Sequence, residues 1–148
     1  MPVEPGIVDT NVLIYALDTA APQHAAALAL LDAAREDAAT LFVTSQILCE
    51  FYSVMTNPRR VARPRSTGEA MTVLFEMLAF LYVLPTPAGT IDRLLDLLRR
   101  RPVSGSDVFD LHLVASMQAN GIGRIYTFNA ADFTAFPELS VVTPAAAP

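Results

Sequence analysis

The chain has no lysine: all ten of its basic residues are arginine. That absence excludes a lysine Schiff base with a carbonyl substrate or with pyridoxal phosphate. It excludes a Walker A loop, which needs G-x-x-x-x-G-K-[ST], and a protein kinase with its strand lysine. An arginine- and alanine-rich composition is also what a biased genome produces, so the absence limits mechanism without explaining itself. Cysteine is nearly missing too. Cys49 alone cannot form an internal disulfide, and two histidines, His24 and His112, are too few for a His/Cys zinc cage. A reducing compartment is the expected setting. Charged residues are only 17% of the chain and apolar ones 53%, a balance that leaves apolar surface for a partner. No long membrane run is present. The longest apolar stretch, 71–84, contains Glu76, stops at Pro85 and falls short of the roughly 20 residues a spanning helix needs. It reads as a buried helix followed by a strand. The start, MPVEPGIVDTN, has no basic region of a signal peptide. A cytoplasmic domain without membrane association is the expectation.

What is present in excess is acid, 15 Asp and Glu against 10 Arg, for a net charge of −5. That argues against coating nucleic acid by charge alone and leaves open an enzyme that gathers carboxylates around a metal ion.

Strands and helices alternate along the chain. Gly6–Val8 reads as a strand running into DTNVLIYALD, residues 22–37 as a helix, and Leu41–Val43 as a strand. Ser45 is the expected cap of a helix that Asn57-Pro58 ends. Ser66 or Thr67 caps a helix to about Leu81, with Glu69 in register for a capping box from Ser66. Tyr82–Leu84 is a strand, 88–101 a helix ending in three arginines, and 107–120 a helix capped by Ser106 and stopped by Gly121 and Gly123. Arg124–Thr127 and Ser140–Val142 are strands on either side of a short helical turn at Ala130–Phe133. This alternation implies one α/β domain over 1–148, three-layered, with four or five short parallel strands flanked by helices and a frayed tail at 144–148. In such a sheet, ligands bind beyond the carboxyl ends of the strands.

That rule singles out several polar residues. Asp9 ends the first strand and is followed by Thr10 and Asn11; it is either a helix cap or a functional acid. Glu50 lies inside an apolar helix, where it either reaches water or ligates a cation. Asp107 and Asp110 share a face at the start of an apolar helix, favoured by the dipole or gathered as ligands. His112 reads as a packed histidine. Thr127, Asn129 and Asp132 follow the fourth strand and could orient water, metal or phosphate. A haloacid-dehalogenase-type phosphatase requires a second acid where Asn11 stands, and a receiver domain requires a lysine.

The stretches IVDTNVLIYAL, TSQILCEFYSVMTNP, FDLHLVASMQANGIGRIYTFNAADF and FPELSVVTP, in this order and spacing, resemble a PIN domain. They are most similar to the VapC-type ribonuclease toxins of bacterial toxin–antitoxin pairs, over about residues 6–143. The resemblance implies a PIN-like three-layer fold and metal-dependent endonucleolytic cleavage of RNA. The family's first three acids match Asp9, Glu50 and Asp110, which would be both catalytic residues and metal ligands. Asp107 and Asp132 are further ligand candidates. The family's fourth acid falls at Asn129, a neutral amide here; either Asp132 takes its place or a second ion is held weakly. Thr10, Asn11, Ser45, Thr127 and Asn129 would orient ligands or substrate. Hard oxygen ligands suit Mg²⁺ or Mn²⁺. Arg59, Arg60, Arg63 and Arg65 are candidates for RNA phosphates, and Arg99 to Arg101 form a second group. The resemblance also implies a homodimer and a cognate VapB-type antitoxin. An alternative is an impaired PIN-fold module that binds RNA or protein without cleaving.

Overall fold

In a computed structural model, which describes residues 2–146, Gly6–Val8 (β1) is the middle strand of a five-stranded sheet. Around it lie Leu41–Thr44 (β2), Tyr82–Leu84 (β3), Arg124–Tyr126 (β4) and Ser140–Val142 (β5), in the order β3-β2-β1-β4-β5. Every pairing is parallel. Ile7 faces Phe42 on one side and Ile125 on the other, and the apolar residues of the inner strands are buried except for the half-buried Phe42, as a two-sided parallel sheet requires.

The helices are Thr10–Leu17 (α1), His24–Arg35 (α2), Ser45–Thr56 (α3), Thr67–Leu78 (α4), Thr90–Arg100 (α5) and Val108–Ala119 (α6). Contacts link α1 with α2 and α3, α3 with α4, and α5 with α6. Right-handed crossovers put the first four on one face of the sheet and the last two on the other. The expected three-layer α/β architecture is therefore the one observed, with the larger of the two expected strand numbers.

Local signals act as the sequence implies at two helix ends. Ser66 Oγ accepts from the Glu69 amide at 3.2 Å and Glu69 Oε1 accepts from the Ser66 amide at 3.0 Å, a complete capping box. Gly121, at φ +71°, lets the chain reverse after α6 so that the Ile122 amide reaches the Met117 carbonyl at 2.9 Å.

Three local expectations are corrected. The cap of α3 is Thr44, whose hydroxyl accepts from the Ile47 amide at 3.2 Å; Ser45 is the first helical residue and exposed. Ser106 caps nothing, because the chain enters α6 through a 3₁₀ turn, Gly105–Asp107, that supplies backbone hydrogen bonds instead. The 71–84 segment is not a buried helix. Met71, Phe75 and Leu78 lie exposed on α4, and Tyr82 and Val83 on β3, because β3 is an outer strand and α4 packs inward through Ala70 and Met77. Pro144 is buried, and positions 147 and 148 of the expected tail lie outside the described residues. Among the described residues, no helix is long and apolar enough to cross a membrane.

Candidate active site

The sheet reverses its winding direction between β1 and β4, and the crevice at such a point is where α/β sheets bind ligands. Asp9 leaves β1 there, and its amide donates to the Tyr126 carbonyl of β4 at 3.0 Å. Its carboxylate is held from three sides. Oδ1 accepts from the Thr10 amide at 2.8 Å, while Oδ2 accepts from Thr127 Oγ1 at 2.9 Å and from Asn11 Nδ2 at 3.2 Å. Thr127 is fully buried, and its hydroxyl uses its full capacity. It donates to Asp9 and accepts from Asn11 Nδ2 at 3.1 Å and from the Asn129 amide at 3.0 Å. Asn11 Oδ1 accepts from the Phe128 amide at 3.0 Å, so one amide side chain ties the ends of β1 and β4 together. These bonds set the rotamer of Asp9 before any ligand arrives.

Glu50 enters from α3. Its Oε2 accepts from Thr10 Oγ1 at 2.9 Å and its Oε1 from Gln46 Nε2 at 3.1 Å. Thr10 thus joins the helix that follows Asp9 to the helix that carries Glu50. Gln46 is not among the residues the sequence singles out; its place one turn before Glu50 on the same helix face is the signal for it.

Asp110 projects from the first turn of α6, half-buried. Burial and the negative charges of Asp132, Asp9, Glu50 and Asp107, in that order, push its carboxyl up to about 6. Asp9 is raised as well, mainly by burial and further by Glu50 and Asp132, against the hydrogen bonds from Thr127 and Thr10 that favour its charged form. Four acids from separate elements therefore act on Asp110, and two of them, Glu50 and Asp132, act on Asp9 as well. Asp107 and Asp132 are exposed at its rim, with Asp110 beside them in a groove of about 510 Å³ that Arg100, Arg101 and Phe136 also line.

Every donor in this set is a hard carboxylate oxygen, flanked by threonine hydroxyls and amides, which is the chemistry of a Mg²⁺ or Mn²⁺ site completed by water. Among the described residues, no three such side chains stand close enough to hold one ion together as they lie. Hydrogen bonds engage both oxygens of each of two of these carboxylates, Asp9 with Thr10, Thr127 and Asn11 and Glu50 with Thr10 and Gln46.

The remaining sequence candidates are placed as follows. Asn129 is exposed at the start of the 3₁₀ turn Ala130–Asp132, and its amide, not its side chain, meets Thr127. Ser45 makes no side-chain hydrogen bond to the acids among the described residues. Arg60, Arg63 and Arg65 line a separate groove of about 540 Å³ with Asp18, Met55 and Glu69, and Arg59 is exposed beside it. That groove lies at the far end of α1, roughly 12 Å along the helix from Thr10. The arginines that line the acidic groove are the other group, Arg100 and Arg101.

A short parallel sheet with carboxylates gathered at its switch point is the architecture of a PIN-type protein, and the PIN domain family profile matches residues 6–139. The chain belongs to the PIN domain family. Within it, the chain is 30% identical over 132 residues to Ribonuclease VapC24 of Mycobacterium tuberculosis, covering 87% of this chain and 89% of that one. Solved structures share the fold at lower identity. VapBC2 from Rickettsia felis, crystallised on a DNA fragment from its promoter, has a TM-score of 0.66 and 18% identity, covering 97% of this chain and 100% of that one. The Mycobacterium tuberculosis toxin VapC20, described as cleaving the Sarcin-Ricin loop, has a TM-score of 0.65 and 18% identity, covering 88% of this chain and 94% of that one.

Proposed function

We propose that the chain is a metal-dependent endoribonuclease, the toxin of a VapBC-type pair, acting in the cytoplasm and restrained by a VapB-type antitoxin. The observation that carries this reading is that Thr10 bonds both Asp9 and Glu50 beside the switch point of the sheet, while the charges of those two carboxylates help push the Asp110 carboxyl up. The ribonuclease VapC24 and the solved toxin–antitoxin complexes support it.

Asp9, Glu50 and Asp110 would hold Mg²⁺ or Mn²⁺, with Asp132 and Asp107 as further donors at the rim. A bound divalent ion supplies activation of water and stabilisation of charge on the phosphate under attack. Thr127 and Asn11 hold Asp9 in one rotamer, and Thr10 holds Glu50. Arg59, Arg60, Arg63 and Arg65 would contact RNA remote from the cleaved bond. The purified chain, incubated with total RNA and Mn²⁺, is expected to release discrete fragments, and none once the ion is chelated. Intact RNA in both lanes sinks the reading.

The second partner is another copy of this chain. Met71, Phe75 and Leu78 share one face of α4 at i, i+4 and i+7 and are exposed, Phe75 by 67%, an apolar stripe that suits a partner surface. Phe75→Glu is expected to convert a dimer into a monomer in light scattering, with the melting temperature of the monomer fold unchanged. A dimer that survives Phe75→Glu places the interface elsewhere.

A further inference from the structure

The acidic groove presents a difficulty to any polyanion. Asp107, Asp110 and Asp132 line it, and their repulsion opposes the approach of RNA phosphates. Two arginines share the lining, and they differ in what they do. Arg100 is bound to Asp96 one turn back on α5, and that carboxylate also meets Arg99 at 3.8 Å. Arg101 forms no ion pair and no side-chain hydrogen bond among the described residues, although three carboxylates share its groove. Its guanidinium lies instead over the ring of Phe136, 5.4 Å from the centroid.

Two features hold it there. The Arg101 amide closes α5 on the Leu97 carbonyl at 2.7 Å, and Pro102 follows, which stops the helix at this residue. Phe136 is 6% exposed, so its ring is a fixed platform. A guanidinium resting on an aromatic ring uses none of its N–H donors in that contact, and those donors match the two oxygens of a phosphate. An arginine present only to offset the acids would sit on one of them. This one is parked beside them with its donors unused.

We infer that Arg101 is a substrate-positioning residue that grips an RNA backbone phosphate adjoining the cleaved one, with Phe136 as its support. This rests on the ribonuclease reading above. It also separates the two arginine groups: Arg101 acts at the site of cleavage, whereas the 59–65 group lies at the far end of α1, in a groove that already contains Asp18 and Glu69.

The test is steady-state cleavage of a fluorescein-labelled RNA hairpin of mixed sequence by wild type, Arg101→Gln, Arg101→Lys and Arg63→Gln. Arg101→Gln is expected to raise KM about tenfold with the change carried by KM rather than kcat, the effect of losing one charge-assisted contact. The slope of log affinity against log salt should shrink by about 0.7, the value for one phosphate contact on a single strand. Arg101→Lys should recover part of the KM change, and Mn²⁺ affinity by calorimetry should match wild type. Unchanged KM and salt slope overturn the inference, as does a matching loss of Mn²⁺ affinity or a larger effect from Arg63→Gln. Should wild type cleave neither the hairpin nor total RNA, the ribonuclease reading fails; whenever the hairpin stays uncut, its anisotropy in chelator decides Arg101 separately. Weaker binding by Arg101→Gln then supports its phosphate contact, and equal binding overturns it.

Discussion

Asp9→Asn is expected to lower RNA cleavage by about a thousandfold, the effect of losing several kcal/mol of charge stabilisation from a bound cation. The side chain keeps its size and loses its charge, and the charge is what the site concentrates. Stability should respond very differently. The Asp9 carboxyl is raised by burial and by neighbouring acids, so its ionised form is a cost to the metal-free fold that the neutral amide of the variant does not carry. Against that gain stands a mismatch. Oδ1 and Oδ2 both accept hydrogen bonds, from the Thr10 amide and from Thr127 and Asn11, and an amide nitrogen cannot replace an acceptor at either place. The two effects oppose, and the melting temperature should stay within about 4 °C of wild type, the shift that 1 kcal/mol produces in a domain of this size. An Asp9→Asn protein that cuts as fast as wild type removes Asp9 from the chemistry.

The second large effect is on pH dependence through Asp110. A metal ion must displace the proton from this carboxyl, which lies at about 6 in the metal-free chain. Mn²⁺ affinity should therefore fall about tenfold between about pH 7 and about pH 5, as the ionised fraction falls by that factor. The metal-free fold responds in the opposite sense. Between the usual 3.8 of an aspartate and about 6, the folded chain holds the Asp110 proton more often than the unfolded chain does. Stability thus decreases as pH rises through that window and is lowest above it. Metal-free protein should melt higher at about pH 5 than at about pH 7, and Mn²⁺-loaded protein should lose that preference. Asp110→Asn should flatten the metal-free profile and remove most of the Mn²⁺ binding. At lower pH the trend turns over, because Glu69 and Asp96 are held below the usual carboxylate range by the Ser66 capping box and by Arg100, and protonating them costs stability. Calorimetry and thermal melts across this range, with and without Mn²⁺, check both signs. A metal-free melting curve that rises steadily from about pH 5 to about pH 7 contradicts the account of Asp110.

Much of the fold was legible because the relevant signals are local. Gly6–Val8 is a short apolar run that ends at a helix-capping acid, Ser66 and Glu69 stand in register for a capping box, and Gly121 supplies the left-handed turn that ends α6. At the start of α3 two neighbours offer the same chemistry. Thr44 and Ser45 both carry a capping hydroxyl, and only the point where β2 ends decides between them. The 71–84 run is apolar enough for a core, but hydropathy does not say which strand is outermost in a sheet; that depends on strand order.

The candidate site follows the same division. Residue types in short segments raised Asp9, Glu50, Asp107, Asp110 and Asp132 as candidates, and hydrophobic periodicity implied an α/β fold, while the choice of Asp9, Glu50 and Asp110 among the acids came from the resemblance to the family. Only the tertiary structure decided that Asp9 is tied to Thr127 across 118 positions and that Thr10 reaches Glu50 across 40. It alone decided which arginines face the acids, placing Arg100 and Arg101 in their groove and the 59–65 group away from them. The physical reason is that charge acts through space. A parallel sheet brings together the ends of strands that are far apart in sequence, so the electrostatics of its crevice are written in the strand order and not in any one segment.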